Sequence, residues 1–167
     1  MRVFVEDIAD KMEESNETWR SFLNKKCGEI IDVTTEYLNI AEELEEGEEI
    51  PNQYLDWEKD FIEVAIEVTE NCSDYEELPS QFDINEYSIM EDFIEELEDD
   101  RKRGILFNAI QGRGAFRRFK DKIYELDVEQ IWFAYRQKAF CQIAKEWCED
   151  HDIEYAYKIK NEALSIK

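Results

Sequence analysis

Helix breakers are scarce in this chain. Its 167 residues include two prolines and five glycines, too few for a strand-rich fold that needs a turn about every ten residues. Histidine occurs once, as His151, which leaves no multi-histidine metal site and a single imidazole for acid–base work. No run of about 18 apolar residues exists, so no segment reads as membrane-spanning. The opening residues, Met1 to Asp7, lack a continuous apolar stretch and do not read as a secretory signal. The four cysteines, Cys27, Cys72, Cys141 and Cys148, form no Cys-x-x-Cys pair. They read as reduced thiols of a cytoplasmic protein. Cys148 and His151 could share a metal, but no second ligand cluster accompanies them.

What is present is apolar surface and acid. Apolar residues make up 43% of the chain, enough to bury a core at a net charge of −23. The charge is unevenly spread. Residues 1–100 carry 33 acidic and 6 basic side chains, residues 101–140 carry 4 and 10, and residues 141–167 carry 6 and 4. The acidic body repels nucleic acid. The basic stretch either neutralises that body or meets an anion from outside.

Periodicity predicts a mostly α fold (α+β), a helical domain with a small N-terminal β-hairpin. Val5, Ile8, Ala9 and Met12 define a first helix over about 4–14. Two β-prone runs between Arg20 and Val33 flank a polar turn closing on Gly28 and predict the hairpin. Thr34 or Thr35 caps a short helix carrying Leu38, Ala41 and Leu44. Pro51 opens a helix with Trp57, Phe61, Val64, Ala65 and Val68 as its apolar stripe. The length suits one domain overall, and the alternative division falls at the loop through Leu78-Pro79-Ser80, between an N-terminal lobe, 1–79, and a C-terminal helical lobe, 80–167. Asp83 and Asp127 begin capping-box patterns, and Asp99-Asp100 caps a helix between them. Residues 152–157 read as a short extended piece, and the tail beyond Lys158 as frayed.

One segment stands out: Ala109-Ile110-Gln111-Gly112-Arg113-Gly114-Ala115-Phe116-Arg117-Arg118-Phe119-Lys120-Asp121. It reads as helix, Gly-x-Gly corner, helix. The first amides of the second helix lack intrahelical acceptors and carry the positive end of its dipole. Arg113, Arg117 and Lys120 are spaced to share a face, with Arg118 projecting elsewhere. Free amides with guanidinium groups suit a phosphate or carboxylate. The competing reading gives the glycines a purely structural turn, Phe116 and Phe119 a place in the core, and the arginines carboxylate partners within the chain. The pattern is not a dinucleotide fingerprint or a P-loop. It has the outline of a helix-turn-helix DNA reader, but the acidic body opposes that.

The same segment resembles the bacterial uncharacterised protein family zero-one-five-eight. Supporting matches are Trp19-Arg20-Ser21-Phe22-Leu23, Cys27-Gly28-Glu29-Ile30, Leu78-Pro79, Met90-Glu91-Asp92-Phe93 and Ala144-Lys145-Glu146-Trp147-Cys148. The resemblance implies a bacterial cytosolic protein and brings no catalytic residue, cofactor or substrate.

No catalytic constellation is legible. There is no Gly-x-Ser-x-Gly elbow, and Glu95, Glu96, Asp99 and Asp100 lack EF-hand spacing. The reading favours a binding or regulatory module over an enzyme, with no cofactor and no metal. Its candidate ligand-binding residues are Gly112, Arg113, Gly114, Arg117 and Lys120, and its ligand is an anionic small molecule or an acidic protein partner. The alternative is an acidic protein that docks on a basic partner or imitates nucleic-acid charge.

Overall fold

Spacing and structure agree at the first helix. In the computed structural model, which describes residues 1–158, α1 (Val5–Glu14) buries Val5, Ile8, Ala9 and Met12. It follows directly on β1 (Val3–Phe4). The hairpin is β2 (Trp19–Asn24) and β3 (Ile30–Thr34), antiparallel, with Phe22 opposite Ile31 and Leu23 opposite Ile30. Gly28 takes φ +81° in the loop, the left-handed conformation glycine adopts without steric cost. Thr34 caps α2 (Thr35–Glu43), its hydroxyl accepting from the Tyr37 amide at 3.2 Å.

The chain divides into two compact units. One comprises Met1–Gln81 and the chain from Ala144 onward; the other is Phe82–Ile143. In the first unit, α3 (Asp56–Glu70) buries Ile62, Ala65 and Val68. Ala65 and Val68 join Phe22, Val33, Leu38 and Ala41 in one apolar cluster. Three expectations for this region change. Pro51 does not open the helix; it sits in a turn whose Tyr54 amide donates to Pro51 O. Trp57, Phe61 and Val64 lie outside, not in the core. A single 3-10 turn, Cys72–Asp74, leads into a strand the local pattern does not announce, β4 (Tyr75–Glu77), antiparallel to β2. β4 is laced to β2 and its loop by Arg20–Glu77 at 2.5 Å, Lys26–Asp74 at 2.5 Å and Lys25–Glu76 at 3.4 Å.

The second unit is built on α4 (Glu86–Glu96), α5 (Asp100–Ala109), α6 (Ala115–Glu125) and the first part of α7 (Glu129–Asp150). Asn85, rather than Asp83, caps α4 through the Ser88 amide at 3.0 Å, and Asp99 caps α5 through Lys102 at 3.1 Å. The core is aromatic. Phe93 packs edge-on against Phe119 at 6.2 Å and Trp132 at 5.2 Å, and Phe119 meets Trp132 at 4.8 Å between ring centres. Such pairs add about 1 kcal/mol each beyond the area they bury. Arg136 bridges to Glu86 at 2.6 Å and lies over the Phe140 ring at 4.4 Å.

The last strand, β5 (Tyr155–Ala156), falls in the stretch expected to be extended and pairs in parallel with β1. The tail expected to fray lies outside the described residues. The protein is therefore mostly helical, α+β, with its strands confined to the first unit.

Candidate anion-binding corner

The end of α5 poses a problem for the chain. Its last turn contains no basic residue, so the final carbonyls need donors from elsewhere. Arg118 supplies donors for the last of them and for two carbonyls of the bend. Its Nε donates to Ala109 O at 2.8 Å. Its two terminal nitrogens donate to the carbonyls of Gln111 and Arg113. The Tyr87 hydroxyl donates to Ile110 O at 2.9 Å, and the Gln111 side-chain amide to Phe107 O at 3.0 Å. One guanidinium fork on α6 thus holds three carbonyls of the preceding helix and the bend, which suits its fixed planar geometry.

The bend itself needs glycine. Gly112 and Gly114 have φ of +75° and +76°, a region costly for a residue with a Cβ. At Gly114 a Cβ would also come within 3.1 Å of Arg118 Nη1.

The start of α6 is left electrically bare. Gly114 is its N-cap and has no side chain to offer, and the first turn contains no acidic residue. The first helical hydrogen bond runs from the Arg118 amide to Gly114 O at 3.0 Å. The amides of Ala115, Phe116 and Arg117 precede it without intrahelical acceptors. Arg117 therefore stands where the helix dipole favours an anion, not a cation.

Of the residues singled out in the sequence, Gly112 and Gly114 form the bend and Arg113 lies between them. Arg117 and Lys120 follow on the outer side of α6. Arg113, Arg117 and Lys120 are all exposed. Among the described residues no carboxylate lies within ion-pair distance of any of the three, whereas Lys11, Arg20, Lys26 and Arg136 each hold one at 2.6 Å or less. Two side chains differ from expectation. Arg118 does not project away but ties the corner together. Phe116 is half exposed, edge-on to Tyr87 at 6.5 Å, while Phe119 alone enters the core. The signal for Arg118 was in the sequence: a helix end without its own cation, followed by an arginine that the anion reading did not need.

The histidine and cysteines offer no comparable arrangement. Burial pushes the Cys148 thiol up to about 11, so it stays protonated at neutral pH. His151 donates through Nδ1 to Trp147 O at 2.8 Å, and its Nε2 lies 3.3 Å from the Glu76 carboxylate. No group of three or more His, Cys, Asp or Glu side chains among the described residues is arranged to hold a metal ion. No helix among them is long and apolar enough to cross a membrane.

Comparison with known proteins gives a family and no chemistry. The model of the uncharacterised protein family UPF0158 matches residues 53–166, which include the whole corner. A UPF0158 protein of Pseudomonas aeruginosa is 35% identical over 69 residues, covering 41% of this chain and 45% of that relative. The chain thus spans less than half the length of the curated relative it matches. No solved structure matches it.

Proposed function

This chain belongs to the uncharacterised protein family UPF0158, and on that premise we propose that it is a non-enzymatic binding or regulatory module whose α5–α6 corner receives an anionic group. The observation that carries the reading is electrostatic. In a chain with 43 acidic side chains, Arg113, Arg117 and Lys120 are exposed and have no carboxylate partner among the described residues, beside the positive end of a helix. Crowding like charge there is unfavourable until an anion arrives.

Each residue has a stated part. The amides at the start of α6 donate to the anion. Arg113 and Arg117 offer two-pronged contacts, and Lys120 a point charge. Gly112 and Gly114 let backbone and ligand approach closely. Arg118 holds the bend in shape beforehand, so little ordering accompanies binding. The ligand class is a phosphate or carboxylate, borne by a small molecule or by an acidic protein surface. Free cysteines fit a cytoplasmic setting.

The test uses the full chain with inorganic phosphate and sulfate as probes. Both should raise the melting temperature, by an amount set by mass action. Arg113→Ala with Arg117→Ala should abolish the shift, and Arg→Lys at both sites should retain part of it. An equal shift in the double alanine variant would rule the corner out.

A further inference from the structure

Helix α3 carries two apolar stripes, and one of them is bare. Ile62, Ala65 and Val68 face the core. Leu55 just before the helix, then Trp57, Phe61 and Val64 within it, are 59%, 55%, 46% and 38% exposed. These are not scattered side chains. Trp57 meets Phe61 edge-on at 6.3 Å, and Phe61 stacks on Tyr37 of α2 at 6.2 Å. The result is a contiguous aromatic ridge, of the kind that marks an interaction surface rather than ordinary apolar exposure.

The ridge has a charged border with the same period. Trp57, Phe61 and Val64 are spaced i, i+4 and i+7. Asp56, Asp60 and Glu63 repeat that spacing one residue earlier, and Glu67 continues it by a turn, so the four form a stripe about a quarter turn away. All four carboxylates are exposed. Between Cys27 and Asp100 the chain contains one cation, Lys59.

We infer that this face docks a cationic amphipathic segment of another protein, one whose apolar side chains lie on the Trp57–Phe61–Val64 ridge and whose lysines or arginines meet the Asp56–Asp60–Glu63–Glu67 stripe. The charge pattern selects this occupant. A second copy would oppose stripe to stripe, carboxylate against carboxylate. An anionic lipid surface or a nucleic acid would meet the same repulsion. Aromatic anchors supply affinity, while the acidic border steers and orients the partner. The surface shares no residue with the glycine corner, so either can stand without the other.

A synthetic helix of about fourteen residues, long enough to cover the ridge, provides the probe. Built from leucine and lysine in an amphipathic pattern, it is titrated calorimetrically into the full chain. Its control replaces leucine by glutamine at constant charge. The leucine peptide should bind at least about tenfold more tightly than the control, and Trp57→Ser with Phe61→Ser should remove that advantage. Asp60→Lys with Glu63→Lys should weaken binding and flatten its salt dependence. Arg113→Ala with Arg117→Ala should leave it unchanged. Circular dichroism and melting temperature establish that each variant is folded, with Trp57→Gln alone as the milder form. Equal binding of the two peptides would reduce the effect to bulk charge and overturn the proposal. So would undiminished binding by the serine double variant, or self-association of the chain that the same two changes abolish.

Discussion

Helices α3 and α6 treat their aromatic side chains differently. On α6, Phe119 goes inward to Phe93 and Trp132, and the exposed side carries Arg117 and Lys120 together with Phe116 and Tyr124. On α3 the small and branched residues go inward, and both aromatics stay out beside carboxylates. Each helix joins a polar stripe to an apolar one, but the sign of the charge is reversed, and only α6 sends a ring into the core. Burial of aromatics is thus decided by what the neighbouring elements can receive. The α4–α7 arrangement has room for a ring between Phe93 and Trp132. The cluster of Phe22, Val33 and Leu38 is completed by Ala65 and Val68.

The contrast can be broken most sharply at Phe119. Phe119→Ala should cost about 3–5 kcal/mol in denaturant unfolding, as loss of a core aromatic does, whereas Phe116→Ala should stay within about 1 kcal/mol. Equal costs would mean both rings are structural. Next comes Arg118→Ala, expected to lose about 1–3 kcal/mol because three carbonyls lose their donor. Arg113→Ala should change stability by less than about 0.5 kcal/mol, and a matching loss there would erase the division between clamp and free cation. Gly114→Ala should destabilise by about 1–2 kcal/mol, from positive φ and from the approach to Arg118. Smallest is Trp57→Ala on α3, within about 0.5 kcal/mol in thermal or denaturant unfolding. Ile62→Ala, one turn along and buried, should cost about 2–5 kcal/mol.

Periodicity carried the helices well. Val5, Ile8, Ala9 and Met12 on α1, and Leu106, Ala109 and Ile110 near the end of α5, are buried as their spacing implies. Gly28 marked the hairpin, and paired left-handed glycines made the corner legible. The same logic failed on α3, because two apolar stripes of equal period give no indication of which one the neighbours will cover. It also missed β4. Tyr75-Glu76-Glu77 has no alternating apolar pattern; its strand character comes from pairing with β2 and from cations placed 48 to 57 residues away. Arg118 was misplaced for a related reason. Spacing along α6 assigns it a direction, but the carbonyls it serves belong to the preceding helix and the bend.

The parallel pairing of Val3 with Tyr155 and Phe4 with Ala156 has a consequence for synthesis. A ribosome adding about 5–20 residues per second releases β1 long before its partner strand exists. Residues 82–143 form one uninterrupted stretch with neighbouring helices in contact, the kind of segment a nascent chain can organise early. Strand β1 must wait for nearly the whole described chain to emerge, whereas the hairpin, α2, α3 and β4 of the same unit find their partners within residues 19–77. Until β5 is made, β1 has no edge to join.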